Sequence, residues 1–223
     1  MATSLSFLNE LIVLIFIVSG VIWMGLTLYC SLIAQEFLLT ATKEQKDIYY
    51  INIQTKIMSY MRWSSLISFS TSIYLMSVIS RTGDFYNIGT SIAALVITIM
   101  FFNTWAIIWP KQKRIISNTS DRAKCEKKYD LAIRTNSILA FPLIGLVIFS
   151  AQAKQIISPL IDEYGNFGPG WESTTLWISI AIILALQANL FFGKKRKWMD
   201  SSKKIILCGI FLIIFIGYIL RVS

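Results

Sequence analysis

Histidine is absent from this chain of 223 residues. That absence removes the side chain most often used as a haem axial ligand, as a copper or iron ligand and as a general base. A redox cofactor held inside the chain would need unusual ligands, so neither a cofactor nor a metal site is expected. Cysteine is scarce as well. Cys30, Cys125 and Cys208 share no motif spacing, which argues against a disulfide framework and against a cysteine-based metal site. Cys30 and Cys208 read as small apolar helix residues. There are only 12 acidic residues against 21 Lys and Arg. No paired-carboxylate site, phosphate-cradling glycine loop or nucleophile triad occurs, so no catalytic residue is assigned.

What the chain has in abundance is apolar surface. Apolar residues make up 55% of it, more than an ordinary soluble domain carries. A helix needs about 20 apolar residues to cross the hydrocarbon core. The sequence predicts six spans, near 9–34, 63–80, 88–109, 137–153, 174–192 and 205–220. The expected fold is therefore an all-α integral membrane protein, a bundle of six transmembrane helices in one polytopic domain over 1–223. The start of the first span lacks a positive n-region and a small-residue cleavage site, so it is read as a mature span.

The positive charge is sorted along the chain. Eighteen of the 21 Lys and Arg residues lie in the basic loops 35–62, 111–136 and 193–204, which alternate with nearly uncharged segments. Basic residues in short loops resist translocation, so these three loops are expected on the cytoplasmic side of a prokaryotic plasma membrane, with both termini outside. The net charge of +9 is then explained by loops that meet anionic headgroups, and nucleic acid is not expected as a partner.

Several segments carry more detail. Gly20 and Gly25 lie close to one side of the first span, beside Trp23. Together with Trp171 in the outer loop they form a candidate interface for other membrane subunits, since small residues let helices approach closely in lipid. Residues 35–62 read either as a continuation of the first helix with a solvated end or as an amphipathic cytoplasmic segment. The second span is rich in Ser and Thr, which return hydrogen bonds to their own helix and suit burial among other helices. The outer loop 154–173 is turn-rich around Gly165–Gly170 and acidic around Asp162, Glu163 and Glu172.

The most specific stretch runs from Phe102 to Lys113. Trp105 and Trp109 share a helix face, and Pro110 is expected to end the span before the basic loop. Asn103 lies inside the span, where its amide needs a partner. Arg134-Thr135-Asn136 opens the next span, and Pro142 should bend it. Asn103, Trp105, Trp109, Gln112, Arg134 and Asn136 are thus a candidate polar clamp near the cytoplasmic leaflet, either a helix–helix fastening or a site of chemistry.

The Asn-x-Trp-x-x-x-Trp-Pro-x-Gln-Lys run, with Arg134-Thr135-Asn136, Pro142 and the early Trp23-Met24-Gly25 segment, resembles the membrane domain of bacterial urate hydroxylase-type proteins. The resemblance implies a helical membrane bundle and an association with urate oxidation through a cytochrome c domain. No Cys-x-x-Cys-His haem attachment sequence occurs in these 223 residues. Three functions are weighed. The preferred one is a non-catalytic structural or assembly subunit of a larger membrane enzyme complex, respiratory or monooxygenase in type. The second is a urate hydroxylase-like oxidoreductase working with a separate cytochrome. The third is a small-solute transporter or channel using Asn103, Gln187, Asn189 and the hydroxyl-rich second span.

Overall fold

Long apolar segments have few options in a bilayer, because every backbone N–H and C=O must be satisfied internally, and the helix does this within one segment. A computed structural model of the chain is built in this way, with no strand among the described residues. It describes the backbone of residues 2–82, 88–117, 120–164, 174–192, 199 and 201–222. In chain order the elements are α1 (Ala2–Tyr29), π1 (Cys30–Ala34), α2 (Gln35–Thr40), α3 (Lys43–Ile48), π2 (Tyr49–Gln54) and α4 (Thr55–Thr82). There follow α5 (Ile88–Phe102), π3 (Asn103–Ile108), α6 (Trp109–Ile116), α7 (Arg122–Tyr164), α8 (Thr174–Phe192) and α9 (Ser202–Val222). Three helical stretches are long and apolar enough to cross a membrane: Phe7–Thr40, Gly89–Ile116 and Arg122–Val147.

The first helix continues past the predicted end at residue 34 and stops at Thr40. Ala41 turns to extended backbone, φ −69° and ψ 142°, and Thr42 restarts the chain with a capping box. Its hydroxyl accepts from the Gln45 N–H at 3.3 Å, and the Gln45 side chain accepts from the Thr42 N–H at 2.9 Å. Residues 43–54 then form α3 and π2, burying Tyr49, Tyr50 and Gln54 while exposing Ile48, Ile51 and Ile53. Arg122 of α7 fastens this segment through an ion pair to Asp47 at 2.6 Å.

α4 returns antiparallel to α1. Tyr74 donates to Asn9 at 2.9 Å, Gly20 faces Ser68, and Cys30 reaches Gln54 at 3.9 Å, so rising numbers on one element meet falling numbers on the other. The hydroxyls of α4 behave as their number suggests. Ser64, Ser65 and Ser68 are buried, and Ser65, Thr71 and Ser72 return hydrogen bonds to carbonyls of their own helix at 2.7–2.8 Å.

α7 forms the centre. It is 43 residues long and packs against α1, α5, α6, α8 and α9. Residues 131–140 are all buried, on every side of the helix, which marks a helix enclosed by others rather than one with a single apolar stripe. The sequence assigns 111–136 to a cytoplasmic loop, yet α6 extends to Ile116 and α7 begins at Arg122. The physical reason is that Lys and Arg are good helix formers, so charge sets where a helix sits relative to the bilayer without breaking it. Pro142 lies within α7, which remains helical to Tyr164.

The outer faces of the described helices are apolar. Phe7, Val21, Leu207, Phe211 and Ile214 are each more than 60% exposed. Large apolar side chains this exposed on α1 and α9 suit contact with hydrocarbon.

Candidate functional site

Pro110 is where the local sequence makes its largest structural demand. It has no N–H to continue the helix ladder. The chain neither stops nor breaks there, contrary to the expected end of the span at Pro110. Instead the preceding six residues, Asn103–Ile108, widen into a π-turn in which the Trp109 N–H bonds to the Thr104 carbonyl, five residues back. The register returns to α at Trp109-Pro110, where the missing donor coincides with the change of register. The wide turn carries Asn103 and Thr104 into the bundle centre, where both are at most 1% exposed.

There Asn103 meets amides from two other helices. Its Nδ2 donates to Oδ1 of Asn136 on α7 at 2.8 Å and to Oε1 of Gln187 on α8 at 3.0 Å. Gln187 returns the bond, Nε2 to Oδ1 of Asn103, at 2.7 Å. The second half of the network is Asn136 Nδ2, which donates to the Met100 carbonyl at 3.1 Å and to the Thr104 hydroxyl at 3.3 Å. Both protons of the Asn103 amide and both of the Asn136 amide are used. The chemical character of the cluster follows. It is neutral, and its amides bond to one another across π3, α7 and α8.

The remaining members of the expected clamp go elsewhere. Arg134 lies two residues from Asn136 and so faces away from it on α7. It is buried, with its guanidinium bonded to Asp130 at 2.6 Å and to the Met199 carbonyl at 2.7 Å. Gln112 is buried with Ile115 on α6, which packs on α7 and π2. Trp105 and Trp109 form an edge-to-face pair with centroids 5.5 Å apart. The Trp105 indole N–H donates to Ser65 at 3.1 Å, tying π3 to α4. Arg62, at the end of the basic segment 35–62 and on α4 in the structure, stands 3.8 Å from the centre of the Trp109 ring and 5.0 Å from that of Trp105.

The expected subunit interface divides in the same way. Gly20 packs against Ser68 within the chain, and Trp23 is fully buried. Gly25 is exposed and has no atom near its missing side chain. Trp171 lies outside the described residues.

A second polar cluster had no counterpart in the sequence reading. Gln54, from π2, accepts from the Tyr49 hydroxyl at 2.6 Å and donates to the Tyr129 hydroxyl of α7, with the Cys30 thiol of π1 3.9 Å from its Oε1. All four side chains are under 5% exposed. Burial pushes the Tyr49 and Tyr50 phenols well above their ordinary range. Cys30 and the neighbouring tyrosines add to the effect at Tyr49, and Glu126 adds to it at Tyr50. The available signal was an amide set among Ile51, Ile53 and Ile57, which has to find a partner if its helix is buried. Lys128 completes the fastening of α8 by donating to the carbonyls of Leu190 and Phe191 at that helix's C-terminal end.

Among the described residues no group of three or more Cys, Asp or Glu side chains is placed to hold a metal ion. An apolar groove of about 650 Å³ is lined by Ile138, Leu186, Leu207 and Phe211. Compared with family models, with curated proteins and with solved structures, the chain matches none.

Proposed function

We propose that this protein is a non-catalytic structural or assembly subunit of a larger membrane enzyme complex of the respiratory or monooxygenase type. In this proposal it crosses a prokaryotic plasma membrane six times, α4, α8 and α9 joining the three longest apolar stretches, with both termini outside. The observation that carries the proposal is the closure of the polar core. Asn103, Asn136, Gln187 and Thr104 direct their hydrogen bonds at one another and at the Met100 carbonyl. Groups used in this way hold helices in register, which is the work of a scaffold. The test is purification from native membranes in a mild detergent. The expected outcome is a stoichiometric set of co-purifying membrane subunits; a chain that runs alone overturns the proposal.

One observation favours a second function, a urate hydroxylase-like oxidoreductase working with a separate cytochrome. Asn103 and Asn136, from the two segments that carry the resemblance to that family, are bonded to each other at 2.8 Å. Urate-dependent reduction of an added cytochrome by reconstituted membranes supports this function, and its absence with every acceptor removes it.

A further inference from the structure

Arg62 and Lys113 are two cations gathered on one indole. The Arg62 guanidinium carbon lies 3.8 Å from the centre of the Trp109 ring and the Lys113 ammonium lies 4.2 Å from it. Among the described residues neither forms an ion pair with a carboxylate, and the Arg62 Nε is buried without a hydrogen-bond partner. Cation–π attraction helps to hold both groups, but it does not cancel the repulsion between two like charges. An anion beside the exposed ends of the two side chains does. Aromatic side chains stand at the same level of α4 and π3. Tyr60 and Trp63, within a turn of Arg62 on α4, are 68% and 57% exposed, and Trp105 and Trp109 are half-buried. Exposed Trp and Tyr at the end of an apolar helix mark the headgroup level of a bilayer. Long Lys and Arg side chains lay their stems on apolar surface there and hold their charges at the phosphates.

We infer that Arg62 and Lys113, framed by Trp105 and Trp109, form a binding site for the phosphate of an anionic lipid headgroup. The site rests on the proposed orientation only in placing that lipid in the cytoplasmic leaflet; its existence follows from the side chains. Arg62 supplies the planar fork suited to phosphate oxygens, and Lys113 supplies a second positive charge from the opposite element.

The test is native mass spectrometry of the full chain with phosphatidylglycerol, with phosphatidylcholine and with inorganic phosphate. Phosphatidylglycerol is expected to bind preferentially. Arg62→Gln and Lys113→Gln are each expected to weaken that preference roughly fivefold, the usual worth of one cation near an anionic surface. Lys203→Gln, at the start of α9, is expected to leave it unchanged. Lys113 is exposed, so Lys113→Gln keeps the test decisive even if Arg62→Gln disturbs packing. Unchanged preference in Lys113→Gln overturns the site. Displacement of the lipid by millimolar inorganic phosphate overturns its assignment to a headgroup and makes it a site for a free anion. Neither result bears on whether the chain co-purifies with other subunits, so the two proposals fail separately.

Discussion

At the scale of single residues, the bundle is specified by a few buried polar side chains. Removing Asn103 as Asn103→Leu leaves the buried Asn136 acceptor unpaired and strips the half-buried Gln187 of its partner, which costs about 1–3 kcal/mol. Chemical or thermal unfolding in detergent should show this as a lower midpoint. The triple variant Asn103→Leu, Asn136→Leu, Gln187→Leu should lose less than the sum of the single losses, because it leaves fewer orphaned groups. The tyrosines of π2 make a prediction about pH. Their phenols are raised above the usual value near 10 by burial, so the protonated form is favoured in the folded state. The stability they contribute is therefore fully present below about pH 10 and is lost as pH rises beyond it. An ultraviolet absorbance titration should show tyrosines, Tyr49 and Tyr50 among them, that ionise only as the fold opens, and Gln54→Leu should bring the alkaline transition to lower pH. Ordinary titration of all nine tyrosines in the intact fold would contradict this.

At the scale of elements, close approach decides which helices belong together. α9 lies against α7 at Gly209, where a Cβ would sit 3.0 Å from that of Phe141 and nearer still to its ring. Gly209→Val should therefore force the two helices apart at a cost of about 1–3 kcal/mol, with part of the loss recovered by adding Phe141→Leu. Gly25 provides the contrast within the same chain. No atom lies within 4 Å of a Cβ built there, so Gly25→Ala should be neutral or slightly stabilising through helix propensity. Thermal melts of the two variants check both statements, and equal losses would sink them. The π-turns also belong to this scale. π1, π2 and π3 carry Cys30, Gln54 with Tyr49, and Asn103 with Thr104, so each contributes a polar group to one of the two buried clusters. A wide turn re-aims side chains at the point where the extra residue is absorbed, which is why such turns collect at places of special chemistry or packing.

At the scale of the whole molecule, the sorted charge and the exposed apolar faces describe the same object. The described helices show hydrocarbon outward and amides inward, while the basic residues cluster between apolar stretches. The six-span orientation predicts that single cysteines replacing Lys46 and Lys203, in a background freed of native thiols, react with an impermeant maleimide only from the cytoplasmic side. A cysteine replacing Thr174 should react only from the opposite side. Labelling of all three from one side would overturn the proposed orientation.

The all-helical character was legible from residue order alone, because an apolar run in lipid has one local solution and that solution needs no partner. The need of Asn103 for a partner was legible for the same reason, since an amide inside a span is costly wherever it points. Its partners were not. Asn136 lies 33 residues away and Gln187 lies 84 away, and nothing in local spacing chooses between them and Arg134, which turned to Asp130 instead. The π-turn before Pro110 was equally hidden, because proline announces only a missing donor, and the surrounding bundle decides whether the chain stops or widens. What the sequence by itself determined was an all-helical chain with apolar stretches long enough to cross a membrane, and the places where polarity had to be answered. Only the tertiary structure decided which groups answer, because hydrogen bonds across helices depend on axial rotation and depth. Both are set by how α1, α4, α5, α8 and α9 pack around α7 rather than by any one segment.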